Sequence, residues 1–154
     1  MATQKPDVIG AMRRQKGMDA GPERKTEDII WEAAQRTMPQ VDKNRLFGAL
    51  KKMMETGKTR LIRAGNSVFL ATQMAPDTVE LHQFSTEAPA QMVNSYKMLA
   101  NNLKNYGIKR AVSLVDSPAY ERMAKSAGLN ARVEQTQRMD GKQMVPAFRL
   151  TVEV

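Results

Sequence analysis

The sequence predicts a mixed α+β (α/β) domain: a twisted, mostly antiparallel sheet with a central β-α-β crossover and helices on both faces. Three stretches carry this expectation. Val79-Glu80-Leu81-His82-Gln83-Phe84 alternates as a strand, Met92, Tyr96, Leu99, Leu103 and Tyr106 recur at helical spacing, and Ala111-Val112-Ser113-Leu114-Val115 reads as a second apolar strand. Two strands joined by a helix pair in parallel. Upstream, Gly65-Asn66 lies between Arg60–Arg63 and Val68–Thr72, where both residues tolerate the positive φ of a tight hairpin turn. At the far end Phe148, Leu150, Val152 and Val154 alternate with Arg149, Thr151 and Glu153, as in a half-buried strand.

With 154 residues the chain is long enough for one domain with its own core, and it has no cysteine to staple it. One histidine and no cysteine all but remove a zinc site of the usual kind. The N-terminus carries charges and glycines where a signal peptide needs an apolar run, and no stretch approaches the ~20 apolar residues of a membrane span. A soluble protein of intracellular origin is the expectation. The net charge of +8 favours an acidic partner: nucleic acid, a polyanionic cofactor or an acidic protein surface. For nucleic acid, charge is the whole signal, since no helix-turn-helix, zinc-finger or RNA-recognition signature is present and aromatics are sparse.

In chain order, residues 1–26 read as an extended basic arm, with Arg13, Arg14, Lys16, Arg24 and Lys25 among scattered apolar positions, glycines and prolines. Such a segment orders on a partner or not at all. Residues 27–154 form the single domain. A first helix carries Ile29, Ile30, Ala33 and Ala34 on one side and stops before Pro39, leaving Trp31 off the stripe. A second starts at the N-cap Asp42, places Leu46, Phe47, Leu50, Met53 and Met54 at core spacing and ends at Gly57. A three-stranded meander follows, then the crossover. A short helix opens at Ser117-Pro118 and closes at Gly128, before a last hairpin of Ala131–Thr136 and Pro146–Val154 with Asp140-Gly141 near its turn.

This order of elements over about residues 27–154 resembles the GNAT superfamily of N-acetyltransferases. Its most telling piece is Ser117 to Leu129, where Ser117, Tyr120, Ala124 and Gly128-Leu129 stand at the places of the family's Asn, Ala, Tyr and Gly-Phe. The resemblance implies acetyl-CoA held at the start of the long helix by a glycine-rich turn whose N–H groups face the pyrophosphate. Here that turn is Gln83-Phe84-Ser85-Thr86-Glu87-Ala88 followed by Pro89, with Thr86 in place of the glycine and an acid beside it. Thr86 or Ser85 reads better as an N-cap, and Glu87 as a favourable charge in the first turn. The tyrosine that many members use to protonate the leaving thiolate is Ala124, and Tyr120 lies about 6 Å away along a helix axis.

The expectation is therefore a non-catalytic GNAT-fold structural or interaction protein without a cofactor. In size and departures it resembles the small GNAT-like proteins of tailed bacteriophages, some grouped with internal virion or head proteins. That resemblance implies incorporation in a virion, an arm bound to portal, capsid or tail subunits, and weak contact with nucleic acid. The alternative is an acetyl-CoA-dependent N-acetyltransferase with an atypical cofactor loop. Its cofactor residues would be Gln83, Thr86 and Ala88, and its catalytic residues Glu80, His82 and Tyr120. Glu80 and His82 share one strand face, where the family often places a general base. That face reads equally as the solvent side of a half-buried strand. No metal ligands are expected.

Overall fold

The computed structural model describes residues 24–154. Helix α1 (Thr26–Thr37) opens with Glu27 and Asp28 in its first turn, which suits the helix dipole, and buries Ile29, Ile30, Ala33 and Ala34. Helix α2 (Lys43–Glu55) is capped as its sequence requires: Asp42 Oδ2 accepts the Arg45 N–H at 2.9 Å. Among its apolar residues only Leu50 is fully buried; Met53 is exposed and Met54 half-buried, so the methionine pair does not belong to the core. Trp31 is half-buried with the Lys43 ammonium 5.8 Å above its ring.

Strands β1 (Thr59–Ala64), β2 (Ser67–Ala75) and β3 (Thr78–Ser85) form the antiparallel meander. Helix α3 (Pro89–Asn105) carries the chain across to β4 (Arg110–Val115), which pairs parallel to β3. Helix α4 (Ala119–Ser126) ends in a turn where Gly128 has φ 81° and the Leu129 N–H returns to the Ala124 carbonyl. The closing hairpin is β5 (Asn130–Asp140) and β6 (Gln143–Glu153), and β6 inserts beside β4 to give the order β1-β2-β3-β4-β6-β5. Both hairpin strands run further towards Gly141 than the apolar pattern alone predicts.

Two cores lie on the two faces of this sheet. Ile62, Phe69, Val79, Tyr96, Leu99 and Leu103 belong to the one under α3 and α4. Ile29, Ile30, Leu50, Val68, Leu70 and Phe84 belong to the one under α1 and α2. Strand β2 therefore reads Val68-Phe69-Leu70-Ala71 without a polar residue, because alternate side chains enter opposite cores. Strand β3 is divided differently. Val79 and Leu81 face α3, while Glu80, His82 and Phe84 share the α1/α2 face, of which only Phe84 is buried.

Candidate active site

The parallel ladder between β3 and β4 is short. It registers Thr78–Glu80 against Arg110–Val112 and then stops, although both strands continue. Beyond the last pair the Leu81 carbonyl accepts the Ser113 Oγ–H at 3.0 Å instead of a backbone N–H. Alternation along the strand places the backbone groups of Gln83 on that same edge. The two strands thus part in the middle of the sheet, between the two helical layers.

A space opens on each face of the parting. Under α3 and α4, a cleft of about 50 Å³, several times the room one water needs, is lined by Leu81, Gln83, Tyr96, Ser113 and Ala124 among others. On the α1/α2 face, a groove of about 410 Å³ runs between Met38 just past α1, Leu46 and Met53 on α2, and Glu80, His82 and Leu114 on the strands. Leu81 belongs to the walls of both. Leu81 stands between the two spaces at the point where the β3–β4 ladder ends.

The side chains at this junction have distinct electrostatics. His82 is exposed towards the groove, yet its ring packs edge-on against Phe84, with centroids 4.8 Å apart. Desolvation there lowers its pKa below the ordinary 6.5, with the Glu80 charge partly opposing. The imidazole is neutral at pH 7 and ready to accept a proton. Tyr96 donates its hydroxyl to Gln83 Oε1 at 3.1 Å, and its burial, with charge on Tyr120 adding, raises the phenol well above the usual range. Tyr120 is half-buried against the same core; burial first and Asp116 second raise its pKa. Gln83 Nε2 is buried with no protein hydrogen-bond partner among the described residues.

The turn leading into α3 is built differently from what its sequence suggested. The N-cap is Ala88, not Ser85 or Thr86, with Pro89 at N1 and Gln91 Oε1 accepting the Ala88 N–H at 3.2 Å. Glu87 does not line the first helical turn. Its carboxylate accepts the Asn66 N–H at 2.8 Å, the Ser67 hydroxyl at 2.7 Å and the Ser95 hydroxyl at 2.6 Å, tying the β1–β2 turn to α3. Gly65, at φ 64°, makes this possible, because a Cβ there would collide with Glu87 Oε2 and Ser95 Oγ. Gly65→Ala is expected to lose about 2–3 kcal/mol of stability by combining backbone strain with displacement of the carboxylate, as read from a urea midpoint. A loss under about 0.5 kcal/mol would show that the turn relaxes freely.

Of the residues singled out in the sequence, Glu80, His82 and Gln83 lie at the parting of β3 and β4, and Tyr120 lies on the core beneath it. Thr86 and Ala88 lie on the α3 turn. Arg13, Arg14 and Lys16 fall outside the described residues; Arg24 pairs with Glu32 at 2.7 Å, and Lys25 is exposed just before α1. Tyr96 and Ser113 were read only as parts of a core stripe and a strand. Their signal was the rare polar group at an inward position of an otherwise apolar run.

No protein-family model matches the chain, and no curated protein sequence does. Solved structures do. An acetyltransferase from Salmonella typhimurium with acetyl-CoA superposes with a TM-score of 0.59 at 10% identity, over 86% of this chain and 91% of that one. A Bacillus subtilis acetyltransferase in complex with CoA gives 0.53 at 12% identity, over 87% and 95%. One from Acinetobacter baylyi gives 0.63 at 10%, over 85% and 88%. The chain has the GNAT acetyltransferase fold. The GNAT resemblance read from the element order therefore holds. The expectation of a non-catalytic, cofactor-free structural protein is corrected by these neighbours, which are acetyltransferases, two of them holding acetyl-CoA or CoA. The virion reading gains no support from them. Among the described residues no helix is long and apolar enough to cross a membrane.

The GNAT cleft of this chain fits one end of acetyl-CoA and not the other. At the acyl end stand an open strand edge and the unpartnered Gln83 amide. At the phosphate end the N–H groups of Thr86, Glu87 and Ala88 are taken by Asn66 O, Ser85 Oγ and Gln91 Oε1, and Pro89 has none. Four consecutive positions offer a pyrophosphate no backbone donor.

Proposed function

We propose that this protein is an acetyl-CoA-dependent N-acyltransferase. The observation that carries the reading is the junction at Leu81, where a cleft on the α3/α4 face and a groove on the α1/α2 face share a wall at the point where the β3–β4 ladder ends. Acetyl-CoA, when bound, supplies an acyl group already activated as a thioester. Leu81, Gln83 and Ser113 hold the acyl end from the cleft side. The acceptor amine approaches through the groove, where Glu80 favours its cationic form and the apolar helix residues receive its body. Neutral His82 takes the proton that the amine must lose to become a nucleophile, and Glu80 stabilises the imidazolium that results. As the C–N bond forms and the thioester C–S bond breaks, the thiolate would leave on the cleft side and take its proton from solvent.

Calorimetric titration of the full chain with acetyl-CoA tests the reading. Saturable binding is expected, weaker than a turn with free backbone donors for the pyrophosphate would give. Absence of heat at millimolar ligand would remove it. The pH dependence supplies a second check. Because His82 has its pKa below 6.5 in the folded protein, the rate is expected to rise with pH through that lowered value and then to level off. Glu80→Gln removes the charge that opposes the shift, so the acidic limb should move to still lower pH.

A further inference from the structure

Gln83 is the one feature of the cleft that protein contacts leave incomplete. Its Oε1 accepts from Tyr96 Oη, and its Nε2 is buried with no acceptor among the described residues. A buried N–H₂ without an acceptor is costly and persists only where something other than the protein completes it. The surroundings limit what that is. The cleft walls beside Gln83 are Leu81, Leu99, Ala100 and Ala124, so the space takes an apolar group bearing one acceptor oxygen.

We propose that the Gln83 carboxamide, clamped by Tyr96, recognises the carbonyl oxygen of an acyl thioester and so lets the protein distinguish acyl-CoA from free CoA. This rests on the acyltransferase reading above. Tyr96 acts as the positioning residue, since its hydroxyl turns the donor end of Gln83 away from itself. An oxygen that gains negative charge during acyl transfer is held more firmly by an N–H donor than the neutral carbonyl is. Free CoA has a thiol at this place and no oxygen to offer.

The test compares acetyl-CoA with CoA by calorimetry on the full chain and on two variants. Gln83→Glu keeps the acceptor for Tyr96 and removes the N–H donors, and Tyr96→Phe keeps the ring and releases the clamp. For the unaltered protein acetyl-CoA is expected to bind about tenfold tighter than CoA, the worth of one buried hydrogen bond. In Gln83→Glu that preference should vanish while CoA affinity stays within about threefold, and in Tyr96→Phe it should fall partway. Melting temperatures measured beside the titrations separate loss of fold from loss of recognition, and an unfolded Gln83→Glu is replaced by the near-isosteric Gln83→Met. Retention of the full preference without the amide overturns the assignment and leaves the acyltransferase reading standing; equal binding of both ligands to the unaltered protein does the same. Failure of both ligands to bind overturns both.

Discussion

Replacing His82 by glutamine is expected to lower kcat/KM for acetyl transfer by about 10²–10⁴-fold, the usual contribution of a positioned general base. Glutamine preserves the size and polarity of the side chain but cannot take the proton from the amine. The loss should appear in kcat more than in KM, because Glu80 and the apolar groove still receive the acceptor. Release of free thiol from acetyl-CoA in the presence of primary amines reads it directly. A variant within threefold of the parent would place the base elsewhere, with Glu80 the next residue in the same groove.

The same imidazole links stability to pH. Its pKa is lower in the folded protein than the ordinary 6.5, so below that value the unfolded chain binds the extra proton. Stability falls as pH drops from 6.5 through the folded value, and this contribution levels off below it.

The largest effect on stability is expected at Arg63. Its guanidinium is fully buried and donates to the Gly65 carbonyl at 3.0 Å, Asn66 Oδ1 at 3.0 Å and Thr26 Oγ1 at 3.3 Å. It binds the β1–β2 turn to the start of α1, and Glu87 binds the same turn to the start of α3. Arg63→Met fills the volume but strands two buried acceptors, the Gly65 carbonyl and Thr26 Oγ1, and the half-buried Asn66 Oδ1. A loss of about 2–4 kcal/mol is expected, a large part of a typical folding free energy. Urea unfolding should show a lower midpoint at unchanged slope. A loss below about 1 kcal/mol would mean that water replaces the guanidinium without cost.

The reach of sequence reasoning differs between elements for physical reasons. The N-cap of α2 was legible at Asp42 because capping is local, one carboxylate and an N–H three residues on. The hairpin at Gly65-Asn66 and the crossover between β3 and β4 were legible for the same reason: turn chemistry and periodicity act over a few residues. Glu87 was misread because a first-turn acid usually serves its own helix. In this fold two of its three partners are Asn66 and Ser67, some 20 residues earlier in the chain, and no local pattern records them. The methionines of α2 failed for a related reason. Spacing shows which residues share a face, not how much of that face another element covers.

The sequence by itself determined the order of elements, the parallel crossover at the centre of the sheet and, through them, the GNAT fold. These follow from periodicity, capping and turn residues, which are properties of short windows. Only the tertiary structure decided that β3 and β4 part after Glu80 and Val112, that Leu81 is shared by a cleft and a groove, and that Tyr96 turns the Gln83 amide into an unmet donor. Each of these depends on contacts between segments far apart in the chain. Their strength comes from burial, and burial is fixed only when the two helical layers close on the sheet.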